Sequence, residues 1–171
     1  CNNGLDDDED IIAGCDPTTV DTDLDGLDDF EELDVYGSDC GDADTDNDGL
    51  SDYDDVDNGC DATEQDSDGD GLYDFYEIEY FDSYCDDADT DDDGLDDGDE
   101  FSYDTSPYDP DTDGDRLEDG PEVHTHLTDP DNFDTDFGGV DDGTEVLDDL
   151  TDPNNPSDDV LTCRVATNPE C

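Results

Sequence analysis

One interval constrains this chain more than any other feature: an Asp-x-Asp loop recurs every 22 or 23 residues. The loops start at Asp21, Asp44, Asp66, Asp89, Asp111 and Asp134, at spacings of 23, 22, 23, 22 and 23. A fixed period of this length marks a tandem array of small units, each leaning on its neighbours. Residues 1–14 hold a partial copy (Gly4-Leu5-Asp6-Asp7, ending near Asp10), and residues 15–150 hold six full repeats. Residues 151–171 hold a degenerate copy after Thr151-Asp152-Pro153 and a Cys-containing tail.

Within each loop the acids keep one register. The first reads DTDLDGLDDFEE, with Asp21, Asp23, Asp25, Asp29 and Glu32 at positions 1, 3, 5, 9 and 12 and Gly26 at position 6. Alternate residues 1, 3 and 5 can turn their oxygens to one side, the glycine permits a sharp bend, and the carbonyl of Leu27 at position 7 adds an oxygen. Glu32 at position 12 then closes the cage, as in an EF-hand loop. Asp44, Asp46, Asp48, Leu50, Asp52 and Asp55 form the second set; Asp66, Asp68, Asp70, Leu72, Asp74 and Glu77 the third; Asp89, Asp91, Asp93, Leu95, Asp97 and Glu100 the fourth. The fifth has Asp111, Asp113, Asp115, Leu117, Asp119 and Glu122, with Arg116 in place of the glycine. The sixth has Asp134, Asp136, Val140, Asp142 and Glu145, with Gly138 in place of the third acid. Hard carboxylate and carbonyl oxygens in this number suit Ca²⁺, which takes 6–8 of them, better than Mg²⁺ with its stricter octahedron. Several ions, at least about one per repeat, are expected.

Composition agrees. Asp and Glu total 63 against two basic residues, for a formal charge of −61, and hydrophobic residues make up 29%. An ordinary globular domain carries roughly 45–50% apolar residues, so without the repeat this would read as a disordered polyanion. Fifty-two of the acids are Asp, which holds its carboxylate close to the backbone. The charge disfavours nucleic acid, and no apolar run approaches the 18 residues of a membrane span. No export signal is present, so a mature or partial chain is expected. The apolar residues share the register: Leu27, Leu50, Leu72, Leu95, Leu117 and Val140 at position 7, and Leu33, Val56, Ile78, Phe101, Val123 and Val146 at position 13. These two anchors per repeat are the expected core, too sparse to order some 22 residues without metal. Position 10 is aromatic in the first three repeats (Phe30, Tyr53, Phe75) and glycine in the last three (Gly98, Gly120, Gly143). The aromatics read as packing, and one or two helical turns fit after position 9, as in Phe30 to Tyr36.

Seven Cys and no CxxC pair point to disulfides and an extracellular or cell-surface setting. Cys15 and Cys60 lie six residues before a loop, and Cys40 and Cys85 four before the next. The 45-residue recurrence favours Cys15–Cys40 and Cys60–Cys85, with Cys163 and Cys171 the remaining close pair; Cys40–Cys60 with Cys1–Cys15 is the alternative. Position 2 is always hydroxylated (Thr22, Thr45, Ser67, Thr90, Thr112, Thr135). A hydroxyl there suits backbone bonding in a turn, or, if it faces solvent, O-glycosylation. No Asn-x-Ser/Thr acceptor with a permitted middle residue exists.

These residues resemble the thrombospondin type-3 repeat family, written roughly GTDPxxPDTDGDGLxDGxE in its bacterial and archaeal members. Gly14-Cys15-Asp16-Pro17, Thr128-Asp129-Pro130 and Thr151-Asp152-Pro153 match the linker, and Asp89 to Glu100 matches the loop. The resemblance implies a rod wound around calcium, often with more than one ion per repeat, little regular secondary structure, and structural work outside the cell. The fold expected is therefore an irregular, elongated, calcium-stabilised array of EF-hand-like loops with short helical turns at most.

The function expected is that of a calcium-binding extracellular structural protein: a rigid acidic rod, spacer or filament segment. The alternative is a binding or adhesion module, dockerin-like or mineral-binding, on a larger secreted protein. An enzyme is not expected, because acid/base work needs a pocket that perturbs its acids and no Ser-His-Asp or Cys-His cluster is apparent. His124 and His126 flank Thr125 and read as solvent-facing, not as a zinc site. The odd cysteine, Cys1, and the repeat-like Thr167-Asn168-Pro169 raise head-to-tail association of the chain with itself.

Overall fold

The computed structural model describes residues 14–159. The partial first copy, Cys1 and the Cys163–Cys171 pair lie outside the described residues. The chain divides into two compact units, Cys1–Ala88 and Asp89–Cys171, with loops one to three in the first and four to six in the second.

Each repeat folds by the same local rules. A linker turn comes first, closed by bonds such as Thr19 N–H to the Asp16 carbonyl (3.0 Å) and Asn132 N–H to the Asp129 carbonyl (2.9 Å). The acidic loop follows, and a short helix completes the unit. Helix α1 is an α-turn Asp29–Glu31 that widens into a π-turn Glu32–Tyr36, and α2 is Asp52–Asn58. Helix α3 is Asp74–Tyr76 widening into Glu77–Phe81, and α4 is Asp97–Tyr103. Helix α5 is Asp119–Pro121 widening into Glu122–His126, and α6 is Asp142–Thr144 widening into Glu145–Asp149. Among the described residues there is no β-strand. Asp28, Ser51 and Asp141 cap the helices they precede. Every helix ends on a left-handed residue: Gly37, Gly59, Asp82, Asp104, Leu127 and Leu150. The returning chain bonds the carbonyl at position 12, as in Gly37 N–H to Glu32 (2.6 Å) and Cys60 N–H to Asp55 (2.9 Å). Position 12 is thereby fixed at its backbone, and its side chain is aimed back at the loop.

The interior is inverted relative to an ordinary domain. Leu27, Leu50, Leu72, Leu95 and Leu117 are buried as expected, joined by Ala62 and the cysteines, while Val140 is half-buried. Position 13 departs from expectation: Leu33, Val56, Ile78, Val123 and Val146 are only half-buried and Phe101 is exposed. The short helices turn position 12 inward, and position 13, one residue on, comes round to the rim. The inner place goes to carboxylates. Glu32, Glu77, Glu100, Glu122 and Glu145, with Asp29, Asp52, Asp74, Asp97, Asp119 and Asp142, are 0% exposed.

Cys15 bonds Cys40, and Cys60 bonds Cys85, each pair 5.6 Å apart at Cα and each bracketing one loop. This rules out the Cys40–Cys60 alternative. Bonds of this kind persist in oxidising settings such as the cell exterior. Among the described residues no helix is long and apolar enough to cross a membrane.

Candidate metal centres

The acids do four different jobs. Position 1 shapes the loop. Asp66 accepts the N–H groups of Gly69 (2.7 Å) and Gly71 (3.2 Å), and Asp134 those of Gly138 (3.1 Å) and Gly139 (3.0 Å). These bonds close over positions 4 to 6, of which positions 4 and 6 are left-handed. Leu24, Asn47, Asp92 and Phe137 sit at position 4 with φ between 59° and 71°. Arg116, at position 6 of loop five, takes φ 89° while its N–H bonds Asp111 (3.0 Å). The turn of loop five is therefore intact without its glycine.

Positions 2 and 9 staple the loop. The Asp29 carboxylate accepts Thr22 N–H (2.8 Å) and hydroxyl (3.2 Å), Asp52 accepts both from Thr45 (2.7 Å each), and Asp74 both from Ser67 (2.8 and 2.5 Å). Thr90 with Asp97 repeats the pair, and Thr112 and Thr135 donate their N–H groups to Asp119 and Asp142. The same hydroxyls accept linker N–H groups, as Thr45 does from Asp39 (2.8 Å) and Thr135 from Asp129 (2.8 Å). Position 2 therefore turns inward and is bonded on both sides, so the solvent-facing arrangement that O-glycosylation needs is not found.

Position 5 joins repeats. One oxygen of Asp25 accepts Leu27 N–H within its own loop (2.8 Å), and the other accepts Tyr53 N–H from the next repeat (2.8 Å). Asp48 does the same with Leu50 and Phe75, Asp93 with Leu95 and Gly120, and Asp115 with Leu117 and Gly143.

Positions 3 and 12 most consistently keep oxygens open for an ion, with Asp44 Oδ1 at position 1 and Asp119 Oδ2 at position 9 also buried and partnerless. One oxygen of each position-3 Asp accepts the N–H of position 5, as in Asp46 with Asp48 (3.0 Å) and Asp136 with Gly138 (2.8 Å). The other, Oδ2 of Asp23, Asp46, Asp91, Asp113 and Asp136, is buried with no hydrogen-bond partner. At position 12 both oxygens of Glu32, Asp55 and Glu100 are buried and partnerless, as is Oε2 of Glu77, Glu122 and Glu145. In those last three the other oxygen takes a hydroxyl six residues on: Ser83 (3.3 Å), Thr128 (3.0 Å) and Thr151 (3.0 Å). The sequence reading missed these hydroxyls, although their fixed offset from position 12 was the available signal. In the first three loops one oxygen from each of positions 1, 3 and 5 lies within 4.8 Å of the others: Asp21, Asp23 and Asp25; Asp44, Asp46 and Asp48; Asp66, Asp68 and Asp70. His124 is exposed, as expected, and His126 is half-buried.

The electrostatics match. Loss of hydration, and then the facing Asp23 and Asp25 charges, push Glu32 up to about 8. Asp55 and Glu77 also rise to about 8, Glu100 to about 9, Glu122 to about 8 and Glu145 to about 7, burial first in each case. Asp23, Asp46 and Asp91 rise to about 6 and Asp113 to about 7 for the same reasons. Several carboxylates face one another with no cation side chain between them. A buried carboxylate without a partner is costly, and a divalent ion among these oxygens would remove that cost. The donor set is all oxygen, which suits a hard cation.

Compared with known protein families the chain matches none, and no curated protein matches it. Among solved structures, part of the chain is similar to a "Biofilm associated protein - B domain", at 42% identity over 26% of this chain and 11% of that one, with a TM-score of 0.26. A "Biofilm associated protein - BSP domain" is 44% identical over 25% of this chain and 7% of that one, with a TM-score of 0.25. The matched stretch thus spans about a tenth, or less, of the length of these chains.

Proposed function

We propose that this chain is a calcium-binding structural module of the cell exterior, a spacer in which ions take the place of an apolar core. One observation carries the reading. All six position-12 carboxylates are essentially excluded from solvent, and each keeps at least one oxygen without a hydrogen-bond partner. On this reading positions 3 and 12 are the principal ligands, positions 1 and 5 contribute beside their backbone bonds, and the position-7 carbonyls of Leu27, Leu50, Leu72, Leu95, Leu117 and Val140 complete the shell. Position 9 braces the loop and reaches an ion through water, as that position often does. The disulfides support the extracellular setting, and the thrombospondin type-3 resemblance of the loops supports a structural role over a catalytic one.

Calorimetric titration of the chelator-stripped chain tests this. Saturable uptake of at least about one ion per loop is expected, with affinities of about 10⁻⁴–10⁻³ M as in extracellular modules. Binding is also expected to release protons. The ion-free folded form holds its position-12 groups near 7 to 9, whereas an unfolded Glu titrates near about 4.3. The folded pKa is raised, so the ion-free fold is most stable below about pH 4 and loses that stability as pH rises through about 8. In chelator the chain is therefore expected to compact on acidification. No heat of binding, with scattering profiles identical with and without calcium, would sink the proposal.

A further inference from the structure

We infer that the sixth loop is a complete cation site whose missing acid is supplied by Asp159, from the copy that follows it. The loop's own sequence lacks a carboxylate at position 5, where Gly138 stands. The structure fills that place from elsewhere. A Cβ on Gly138 would overlap the Asp159 carboxylate, which lies directly over it. Both Asp159 oxygens are buried and make no hydrogen bond. Asp136 lies at the same spot, its Oδ1 2.9 Å from where that Cβ would stand, and its Oδ2 is also buried and partnerless.

The pointer to a ligand is Glu145. It is 0% exposed, its Oε1 accepts the Thr151 hydroxyl (3.0 Å), its Oε2 is buried with no partner, and the Asp159 and Asp136 charges lie near enough to act on it. Three neighbouring carboxylates thus keep buried, partnerless oxygens, and Asp134 holds the loop beside them through the Gly138 and Gly139 N–H groups. A divalent cation with hard-oxygen preference fits this set; a neutral or anionic ligand does not.

Asp159 is held there by design of the chain. Asp152 lies 23 residues after Asp129 and repeats its linker turn, with Asn155 N–H on the Asp152 carbonyl (2.9 Å). Asp152 N–H bonds the Asp158 carboxylate (3.3 Å), as Asp129 N–H bonds the Thr135 hydroxyl, so Asp158 is position 2 and Asp159 position 3 of a seventh copy. Asn154 donates to the His126 carbonyl (3.0 Å), tying that copy to the sixth helix's predecessor within the same unit. Gly138 is therefore an exchange of one acid for another: it clears the space through which the next copy reaches in.

The inference rests on the loops binding calcium, and the test separates the two. Calcium stoichiometry and site affinities are measured by equilibrium dialysis and calorimetry on the full chain, its Asp159→Asn variant, and a double variant, Gly138→Asp with Asp159→Gly. If the unaltered chain takes up no calcium, the reading of the loops fails. If it does, Asp159→Asn is expected to lose one ion, or to weaken one site at least tenfold, with the others unmoved. The double variant, which returns the acid to its ordinary place, is expected to recover that ion. Unchanged binding in Asp159→Asn overturns the inference, and so does a double variant that binds no better than Asp159→Asn.

Discussion

The two units use one loop and nest it in two ways. In both, the position-5 carboxylate of one repeat accepts the position-10 N–H of the next, at 2.8 Å for Asp25 with Tyr53 and 2.8 Å for Asp93 with Gly120. What lies around that bond differs. In the first unit position 10 is aromatic, and its ring covers the preceding position-6 glycine: a Cβ on Gly26 would stand 3.3 Å from the Tyr53 ring, and one on Gly49 3.4 Å from that of Phe75. In the second unit position 10 is glycine and the backbones close up. A Cβ on Gly120 would come within 2.5 Å of the Asp93 carbonyl, and one on Gly143 would overlap that of Asp115. No ring then covers position 6, which is why loop five can carry Arg116 where loops one and two need glycine. Arg116 uses the freedom to reach Asp148 (3.3 Å) and the Thr144 hydroxyl (2.9 Å). The first unit also has two disulfides, while the described part of the second contains no cysteine. The difference teaches that the loop register is the fixed element, and that packing around it is interchangeable in matched pairs of positions.

Chelation is the largest lever on this comparison. Both units are expected to lose their order without calcium, the second at a lower chelator concentration because, among the described residues, no disulfide brackets any of its loops. Hydrogen exchange resolved by peptide checks this; a second unit that outlasts the first would reverse the ranking. Next comes reduction. Replacing Cys60 and Cys85 by Ser is expected to cost the first unit about 3 kcal/mol, by releasing a loop of some 25 residues, and to leave calcium uptake by loops four to six unchanged. Denaturant midpoints of the two units, followed separately by exchange, measure it.

A smaller effect is expected from Gly143→Ala. Helix preference alone would favour alanine by about 0.5–1 kcal/mol. The new methyl group meets backbone, not a flexible side chain, and overpacking of that kind costs about 1–3 kcal/mol, so destabilisation is expected to win. A thermal midpoint that rises would show that the close approach is not tight. The smallest effect is Arg116→Gly, which relieves a left-handed non-glycine residue worth about 1–3 kcal/mol and loses an exposed ion pair worth about 0.2–1 kcal/mol. A modest net gain in stability of the second unit is expected from denaturant titration, and a loss would mean that the Arg116 contacts matter more than its backbone.

Much of this was legible in the residues because a period reports itself many times over. The register of the acids, the buried position-7 leucines, the short helices after position 9, and the Cys15–Cys40 and Cys60–Cys85 bonds all follow from spacing. The division of labour among the acids did not. A carboxylate that holds backbone N–H groups, as Asp25 and Asp29 do, is the same letter as one left open, such as Glu32. Only the path of the chain separates them. Position 13 misled because a hydrophobic residue in strict register normally marks a core, and here the adjacent Glu has the inner place. Asp159 was invisible for another reason. The seventh copy keeps the linker turn but not the Asp-x-Asp signature, so alignment on that signature passes it by.

The carboxylate interior has a thermodynamic consequence. In ordinary proteins the heat-capacity increment of unfolding, about 12–15 cal/mol/K per residue, comes from wetting apolar surface, and polar surface lowers it. Here Leu24, Tyr80, Phe137 and Leu150 are already 69–83% exposed in the folded state, while what unfolding uncovers is mostly charge. The increment per residue falls below the usual range, the stability curve flattens, and cold denaturation recedes with it. The melted chain also carries 63 acids and few newly bared apolar groups, so its copies repel one another. Melting then leaves a dispersed polyelectrolyte instead of an aggregate, and on the proposed reading a return of calcium would find a chain free to fold again.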